Sequence, residues 1–251
     1  PYDFSGRPKR INARPLFQHW AKTYEQTVPV FEYSLPETVY SALWPYLSHQ
    51  SKTKRHILDL GIGTGLSSEP FFNNGKCRIY GVDASEEMLS ICREKEMTET
   101  LYQADVMRLD HLALDKSSFD AVIMAGLVEF LPVPHRLLKH IRPLLKSDGY
   151  VAMTYETKDN LESYEPGFFT GVVADDEAQT VIRRRVPGKV WPRFYKKYLY
   201  DVTFLEEAVK DMGFDIRSSH RFKAYEWPNG EKIYNQMMIL QRGKLDKNKG
   251  T

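Results

Sequence analysis

The chain has 251 residues and a mass of 29.2 kDa, which is the size of one large domain or two small ones. Its composition is 42% hydrophobic and 27% charged with a mean hydropathy of −0.48, which excludes a disordered or collagen-like chain. The 35 lysines and arginines exceed the 33 aspartates and glutamates by a net charge of +2, so a nucleic-acid backbone is not the expected partner.

Five short apolar segments predict β-strands. They lie at HILDL 56–60, RIYGVD 78–83, TLYQAD 100–105, FDAVIMAG 119–126 and GYVAMTYE 149–156. Between them, residues 85–96 and 134–146 repeat apolar side chains at helical spacing, and Gly149 suits the exit of the second helix. Strands that alternate with helices predict an α/β fold with a doubly wound, mostly parallel sheet. Its ligand-binding loops are expected at the carboxyl ends of the strands.

This alternation breaks after the fifth predicted strand. Residues 156–200 are rich in proline and glycine and predict an insertion. Residues 202–214 then predict a helix closed by Gly213, and two strands flank a turn signal at 229–230. The sheet is therefore expected to end in an antiparallel strand, followed by a polar, frayed tail over residues 242–251.

The strongest motif is DLGIGTG, residues 59–65, which follows a strand and precedes a helix. Its glycines let the backbone turn tightly and let a ligand lie against it, next to the free N–H groups of a helix start. A dinucleotide-binding loop would need glycine where Leu66 stands, and an acid at Asp59 would repel a pyrophosphate. The acid suits instead a ligand that carries an ammonium group and a sulfonium.

Two further acids end the next predicted strands. Asp83 lies 22 residues beyond Gly61, the distance expected for a carboxylate that accepts hydrogen bonds from both ribose hydroxyls. Asp105 ends the third strand and can accept a hydrogen bond from the exocyclic amine of adenine. Together with Asp59, these carboxylates indicate a nucleoside that bears a positive charge.

These motifs resemble those of class I S-adenosylmethionine-dependent methyltransferases. DLGIGTG is similar to that family's first motif, GVDASEEML to its ribose-binding strand, ADV to its adenine-contacting position, and FDAVIMAGLVEFL and LLKSDGY to its fourth and fifth strands. The resemblance covers residues 15–155 and, by order of elements, 201–241. It implies a Rossmann-like seven-stranded sheet in a domain over residues 56–241, with a cap formed by residues 1–55 and the insertion 156–200.

The resemblance also implies S-adenosylmethionine as the cofactor and S-adenosylhomocysteine as its product. The implied cofactor-binding residues are Tyr24, Asp59, Gly61, Gly63, Gly65, Asp83, Ala84, Met88, Asp105, Val106, Ala125 and Gly126. In that scheme the glycines pass under the methionine moiety, Asp59 lies by its amino group and Asp83 holds the ribose. Plain core packing is the alternative role for Tyr24 and Met88, and strand-end packing for the alanines and Val106.

The residue that would accept a proton is left open. Methyl transfer is an in-line displacement that needs positioning above all, and it needs a base only if the nucleophile starts protonated. Many members of the family carry Glu-His after the fourth strand, whereas here Glu129 is followed by Phe130. Glu129, His135 and His19 are the candidates, and an amine that enters deprotonated would need none of them. No metal site is predicted.

The insertion is divided by charge. Residues 156–177 have a net charge of −6 and residues 181–200 one of +7. Alternation on either side of residues 187–189 predicts a hairpin with one aromatic face. Either the two halves pair on the surface, or the hairpin grips an acidic or aromatic substrate. The candidate substrate-binding residues are Arg185, Trp191, Tyr195 and Tyr198.

The remaining signals concern location and substrate. Cys77 and Cys92 are the whole cysteine content, which favours a reducing, cytoplasmic setting. Neither a membrane span nor a signal peptide is expected, because no apolar run approaches about 18 residues and the first residues lack an apolar segment. We predict transfer of a methyl group to an O or N atom of a small aromatic or acidic molecule. The alternatives are an RNA or protein methyltransferase and a cofactor-binding regulator without turnover.

Overall fold

The computed structural model describes residues 14–48, 53–164, 169–185, 194–228 and 230–243. Three helices precede the sheet: α1 (Arg14–Trp20), α2 (Tyr24–Thr27) and α3 (Leu35–Ser48). Along α3 a stripe of apolar side chains at helical spacing packs on the sheet, formed by Val39, Leu43 and Leu47. The predicted frayed tail lies outside the described residues from residue 244 onward.

Ten strands and four further helices complete the described fold. The first five strands are β1 (Arg55–Leu60), β2 (Cys77–Asp83), β3 (Thr98–Gln103), β4 (Phe119–Met124) and β5 (Leu145–Glu156). The helices between them are α4 (Glu69–Asn73), α5 (Glu86–Glu94) and α6 (Pro134–Ile141). The later elements are β6 (Phe169–Asp175), β7 (Gln179–Arg185), β8 (Phe194–Tyr200), α7 (Val202–Asp211), β9 (Phe214–Glu226) and β10 (Lys232–Arg242).

The main sheet has the strand order β3-β2-β1-β4-β5-β10-β9. The first five strands pair in parallel, and β10 runs antiparallel to both of its neighbours. The predicted fold, a doubly wound seven-stranded sheet with an antiparallel last strand, is therefore confirmed. The order reverses between β1 and β4, the place where open α/β sheets bind ligands.

Helices cover both faces of this sheet, because successive strand residues point to opposite sides. Leu58 and Leu60 of β1 pack with α6 and α7, while Ile57 packs with α3, α4 and α5. Each face thus has its own apolar core, which holds the strand ends rigidly. Among the described residues, no helix is long and apolar enough to cross a membrane.

Two predicted boundaries are wrong. Gly149 does not end a helix: α6 stops at Ile141, and Gly149 lies inside β5. The reason is that Leu145 pairs with Phe119 of β4, and the residues after it form an irregularity before regular pairing resumes at Tyr150. The third strand ends at Gln103, so Asp105 lies beyond it as the N-cap of a short 3-10 helix.

Two later predictions are confirmed. Gly213 follows α7 with a φ of 80°, the left-handed conformation that closes a helix. Strands β9 and β10 form an antiparallel hairpin, and Gly230 in its turn also has a positive φ. Asn229 lies outside the described residues.

The insertion forms a second, three-stranded antiparallel sheet with the order β6-β7-β8. The predicted pairing of β7 with β8 is confirmed over the whole of both strands, and their turn lies outside the described residues. An ion pair between Lys197 and Glu156 joins the two halves of the insertion, and it is buried rather than on the surface as expected. Lys158 pairs with Asp175 within the acidic half. Arg184 pairs instead with Glu231, which lies in the β9–β10 turn.

A second buried carboxylate, Glu156, also joins this sheet to the first. Glu156, the last residue of β5, has no exposed surface and accepts hydrogen bonds from Lys197, Tyr164 and Tyr225. Burial alone would raise the pKa of Glu156, but the charge of Lys197 and these hydrogen bonds hold it below its usual value. Side chains from β8, β9 and the segment after β5 are thereby tied to one strand end.

We expect Glu156→Gln to lower the free energy of unfolding by about 3–5 kcal/mol, because it leaves the buried ammonium of Lys197 without its counter-charge. Denaturant unfolding monitored by tryptophan fluorescence measures this. Lys158→Ala, which removes the partly exposed pair with Asp175, is the control and should cost less than about 1 kcal/mol. A double variant, Glu156→Leu with Lys197→Met, should recover much of the loss; equal losses in the single variant and the control would contradict the role of Glu156.

Candidate active site

A cavity of about 550 Å³ lies at the carboxyl ends of β1, β2 and β4. Its size is within the range of roughly 300 to 1,000 Å³ that is typical of small-molecule sites. Its lining comes from the glycine loop, the ends of β2 and β4, the N-terminal helices and β8. The lining residues used below are Arg14, Phe17, Tyr24, Tyr33, Gly61, Gly63, Thr64, Asp83, Ala84, Met88, Asp105, Val106, Ala125, Gly126, Phe130, Lys196 and Tyr198.

The glycine loop between β1 and α4 needs its glycines for two different reasons. Gly61, Gly63 and Gly65 all have positive φ, at 73°, 56° and 92°, which other residues rarely adopt. Gly63 faces the cavity, since a Cβ there would meet nothing closer than a backbone oxygen at 3.9 Å. Gly65 faces inward, and a Cβ there would lie 1.9 Å from the end of the Met97 side chain. Gly61 and Gly63 line the cavity, whereas Gly65 packs behind the loop.

Asp83 lies at the end of β2 and joins the loop to the next strand. Its carboxylate accepts hydrogen bonds from the backbone N–H groups of Gly63, at 2.9 Å, and Ser85, at 2.8 Å. Burial raises the pKa of Asp83 despite these bonds, which lower it. A carboxylate has about four acceptor positions, so Asp83 keeps acceptor capacity on the side that lines the cavity.

Asp59 lies under the glycine loop and does not line the cavity. It is 1% exposed, and its carboxylate accepts a hydrogen bond of 2.7 Å from the hydroxyl of Ser68. Burial raises the pKa of Asp59 to about 7, with a further increase from the charge of Asp83 and a decrease from the Ser68 hydrogen bond. An ionised Asp59 is therefore destabilising unless a positive charge approaches it.

The predicted adenine-side residues are brought together. Ala84, Met88, Asp105 and Val106 all line one end of the cavity, and Met88 is otherwise buried. The Asp105 carboxylate accepts a hydrogen bond of 2.9 Å from the backbone N–H of Met107, which caps the short helix that follows. Asp105 is exposed, and this hydrogen bond holds its carboxylate in one orientation.

The opposite end of the cavity is closed by tyrosines next to the β4 loop. Tyr24 and Tyr33 are hydrogen-bonded to each other and both line the cavity, with Ala125 and Gly126 beside them. A Cβ on Gly126 would lie 3.3 Å from the Tyr33 hydroxyl, so a larger residue there would press on this tyrosine. Burial raises the pKa of Tyr24 to about 12 and raises that of Tyr33 well above its usual value, so both stay protonated at neutral pH.

The three candidate proton acceptors lie outside the cavity lining. Glu129 is 5% exposed and lies behind Tyr24 and Tyr33; its Oε2 has no hydrogen-bond partner among the described residues. Burial raises the pKa of Glu129 to about 7, and the nearby charge of Lys197 opposes this shift. His19 is exposed on α1, and His135 lies in the first turn of α6 against the ring of Phe204.

The predicted substrate residues are separated by the pleat of β8. Tyr198 lines the cavity, whereas Tyr195 points to the other face and its ring lies 6.2 Å from that of Phe130. The side chain of Arg185 and the whole of Trp191 lie outside the described residues.

Several lining residues escaped prediction. Arg14 and Phe17 lie one turn apart on α1, and Tyr33 follows a 3-10 turn, positions that carry no local motif. Lys196 had a usable signal, since it lies two residues before Tyr198 and therefore on the same face of a strand. Among the described residues, no group of three or more His, Cys, Asp or Glu side chains is arranged to hold a metal ion.

Comparison with known sequences gives one family and several relatives. Residues 58–153 match the family model described as a methyltransferase domain. A ubiquinone biosynthesis O-methyltransferase from Coxiella burnetii is 32% identical over 108 residues, which are 41% of this chain and 45% of that protein. The match therefore spans less than half of the length of this relative.

Solved structures share the fold. A chain of a SAM-dependent methyltransferase from Methanosarcina mazei is 18% identical with a TM-score of 0.64, covering 80% of this chain and 98% of its own. The 1,6-didemethyltoxoflavin-N1-methyltransferase of Burkholderia thailandensis, solved with 1,6-didemethyltoxoflavin and S-adenosylhomocysteine, is 17% identical with a TM-score of 0.60, covering 91% of this chain and 88% of its own. At such identities the likeness establishes the fold.

Asp59→Asn should make stability less dependent on pH. The raised pKa of Asp59 means that the folded protein holds the proton more tightly, so its contribution to stability is present below about pH 4 and is lost as the pH rises through about 7. When the pH rises from about 5 to about 8, the free energy of unfolding of the ligand-free wild-type protein should fall by roughly 2 to 3 kcal/mol more than that of Asp59→Asn. Denaturant unfolding at each pH measures this.

Ser68→Ala is the matched control for this measurement. It keeps the carboxylate and removes the hydrogen bond that lowers its pKa, so it should show a pH dependence at least as strong as that of wild type. The same pH dependence in Asp59→Asn and in wild type would contradict the assignment.

Proposed function

We propose that this chain, which carries a class I S-adenosylmethionine-dependent methyltransferase domain, binds S-adenosylmethionine and transfers its methyl group to an O or N atom of a small molecule. The observation that carries the proposal is the cavity at the ends of β1, β2 and β4. Gly61, Gly63 and Asp83 border it on one side, and aromatic side chains close the other.

The residues that line the cavity are suited to bind S-adenosylmethionine. Gly63 leaves open space beside its backbone, as required where a ligand lies against the chain. Asp83 retains acceptor capacity for ribose hydroxyls, and Asp105 is held where it can meet an exocyclic amine. The buried hydroxyl of Thr64 has no partner among the described residues and lies in the lining, so it is a further polar group for a ligand.

Asp59 would act from beneath the loop rather than from the cavity surface. An ammonium group above the loop would lower the pKa of Asp59 and so favour its ionised form. Ser68, which donates to this carboxylate, holds it in place. Gly65 would contribute by letting the loop pack on Met97, not by contact with the methionine moiety.

The bound cofactor supplies a methyl group on a sulfonium, which leaves as a neutral thioether. What the protein must add is orientation of the acceptor and exclusion of water. Phe17 of α1 and Phe130 after β4 meet edge to face, with ring centroids 5.2 Å apart, and close the cavity from two sides. Tyr24 and Tyr33, protonated at neutral pH, serve there as hydrogen-bond donors rather than bases.

A small acceptor is favoured over a macromolecule. The cavity is walled by α1, α2 and β8, and the net charge of +2 offers little attraction to a nucleic-acid backbone. The Burkholderia thailandensis structure contains a small heteroaromatic acceptor, and the Coxiella burnetii relative is named for ubiquinone biosynthesis. Both described cysteines are free and buried, which supports a cytoplasmic location.

Of the three candidate proton acceptors, Glu129 is the one placed near the tyrosines that close the cavity, although it does not itself line the cavity. Its charge raises the pKa of both Tyr24 and Tyr33, and its own pKa of about 7 lets it change protonation state near neutrality. His19 and His135 are the alternative proton acceptors, and neither of them lines the cavity. A role for any of them arises with an alcohol or phenol acceptor, not with a deprotonated amine.

If Glu129 takes the proton, the rate of methyl transfer should rise with pH through about 7, because the carboxylate must be ionised to act. Glu129→Gln should lose this rising limb and retain cofactor affinity. A pH–rate profile at saturating cofactor measures it, with His135→Gln as the control that keeps the limb. A limb that persists unchanged in Glu129→Gln would exclude this role.

Asp83→Ala should weaken S-adenosylhomocysteine binding by at least about 100-fold, because two hydrogen bonds to a charged acceptor are lost at about 1.5–3 kcal/mol each. Isothermal titration calorimetry measures the affinity. Asp83→Asn keeps the side-chain volume, and Asp110→Ala removes an exposed aspartate that does not line the cavity. Asp83→Asn should also bind S-adenosylhomocysteine weakly, and Asp110→Ala should bind it with wild-type affinity.

Thermal unfolding of each variant shows whether it is folded. Unchanged affinity in folded Asp83→Ala would overturn the ribose assignment. A folded wild-type protein that binds no S-adenosylhomocysteine would overturn the proposed cofactor.

A further inference from the structure

The basic residues of the insertion are sorted onto two faces by the pleat of its sheet. In the β7–β8 register, Arg184 is opposite Tyr195 and Arg183 is opposite Lys196, so neighbours along each strand point to opposite faces. Arg184 and Lys197 lie on one face, where they are 2% and 5% exposed. Both are neutralised there, Arg184 by Glu231 at 3.3 Å and Lys197 by Glu156.

The other face of β8 turns toward the cavity. Lys196 and Tyr198 occupy it, and both belong to the cavity lining. Within the described parts of the chain, no carboxylate lies within ion-pair distance of the Lys196 ammonium. The charge of this lysine is therefore available to whatever fills the cavity.

The acids of the lining lie at the other end. Asp83 and Asp105 follow β2 and β3, the strands on one side of the sheet, and Arg14 contributes its charge near Asp83. Strand β8 packs by contrast beside the short 3-10 turn after β4, Val128–Phe130. Lys196 is thus placed on the acceptor side, away from the nucleoside carboxylates.

Aromatic groups surround this end of the cavity. Phe17 and Phe130 form one wall and Tyr198 another, and all three line the space that Lys196 enters. Flat walls with one unneutralised ammonium are complementary to a planar ring that carries a negative charge. A neutral acceptor of the same shape would leave the lysine without a partner.

We propose that Lys196 binds a carboxylate on the methyl acceptor and so selects planar aromatic acids over their neutral analogues. The inference rests on the proposed function, since it assumes that the cofactor occupies the Asp83 end of the cavity. Lys197, the adjacent lysine, cannot take this role because Glu156 already neutralises it on the opposite face.

The test uses the full-length protein saturated with S-adenosylhomocysteine and two matched pairs of probes, salicylate with salicylamide and anthranilate with anthranilamide. Each pair has the same ring and differs in charge. Calorimetry should show that at least one acid binds about 10-fold or more tightly than its amide. Lys196→Gln should abolish that preference, and Lys196→Arg should keep much of it.

Two controls separate this proposal from the proposed function. Lys210→Gln removes an exposed lysine of α7 outside the cavity lining and should bind all four probes as wild type does. Every variant should keep wild-type affinity for S-adenosylhomocysteine, because Lys196 lies away from the nucleoside end. If the wild-type protein does not bind S-adenosylhomocysteine, the proposed function itself is wrong, whatever the probes do.

The proposal is overturned by any of three results in protein that binds S-adenosylhomocysteine. These are equal binding of acid and amide in both pairs, no binding of either acid, and a preference for the acid that persists in Lys196→Gln. Where methyl transfer to a probe is detected, Lys196→Gln should raise KM for the acid with little change in kcat, because the lysine contacts a part of the acceptor that does not react.

Discussion

The arrangement of the whole active-site region depends on one buried negative charge. Glu156 ends β5 with no exposed surface, and a carboxylate in that setting is stable only when donors surround it. Tyr164, Lys197 and Tyr225 supply those donors from three separate parts of the chain. The hydrogen bonds to Glu156 therefore join the second sheet and the β9–β10 hairpin to the end of β5.

Fixing Lys197 in this way also decides what reaches the cavity. Because side chains alternate along a strand, a buried Lys197 turns Lys196 and Tyr198 to the opposite face, into the cavity lining. The same alternation turns the side chain of Tyr195 away from the cavity. The charge of +7 in residues 181–200 is thus partly structural and partly available to a ligand.

That the glycine loop and Asp83 meet at one cavity was predictable, because it depends on short-range patterns. A glycine loop between a strand and a helix, with an acid at the end of the next strand, keeps its geometry wherever it occurs. The errors arose where distant pairing outweighed local preference. Gly149 has the sequence context of a helix exit, yet Leu145 pairs with β4 and draws the segment into β5. Asp59 lies beneath the loop, a placement that the motif alone does not specify.

The seven-stranded sheet was implied by the resemblance that the motifs carry. The sequence by itself determined the alternation of strands and helices, the glycine loop and the position of Asp83 at a strand end. These follow from hydrophobic period and from turn chemistry, which act over a few residues. Only the tertiary structure decided which charges of the insertion are neutralised, which tyrosines lie near Glu129, and that Lys196 lines the cavity. Those outcomes depend on contacts between residues far apart in the chain, such as Glu156 with Lys197, because burial of a charge is a property of the folded environment and not of the residue.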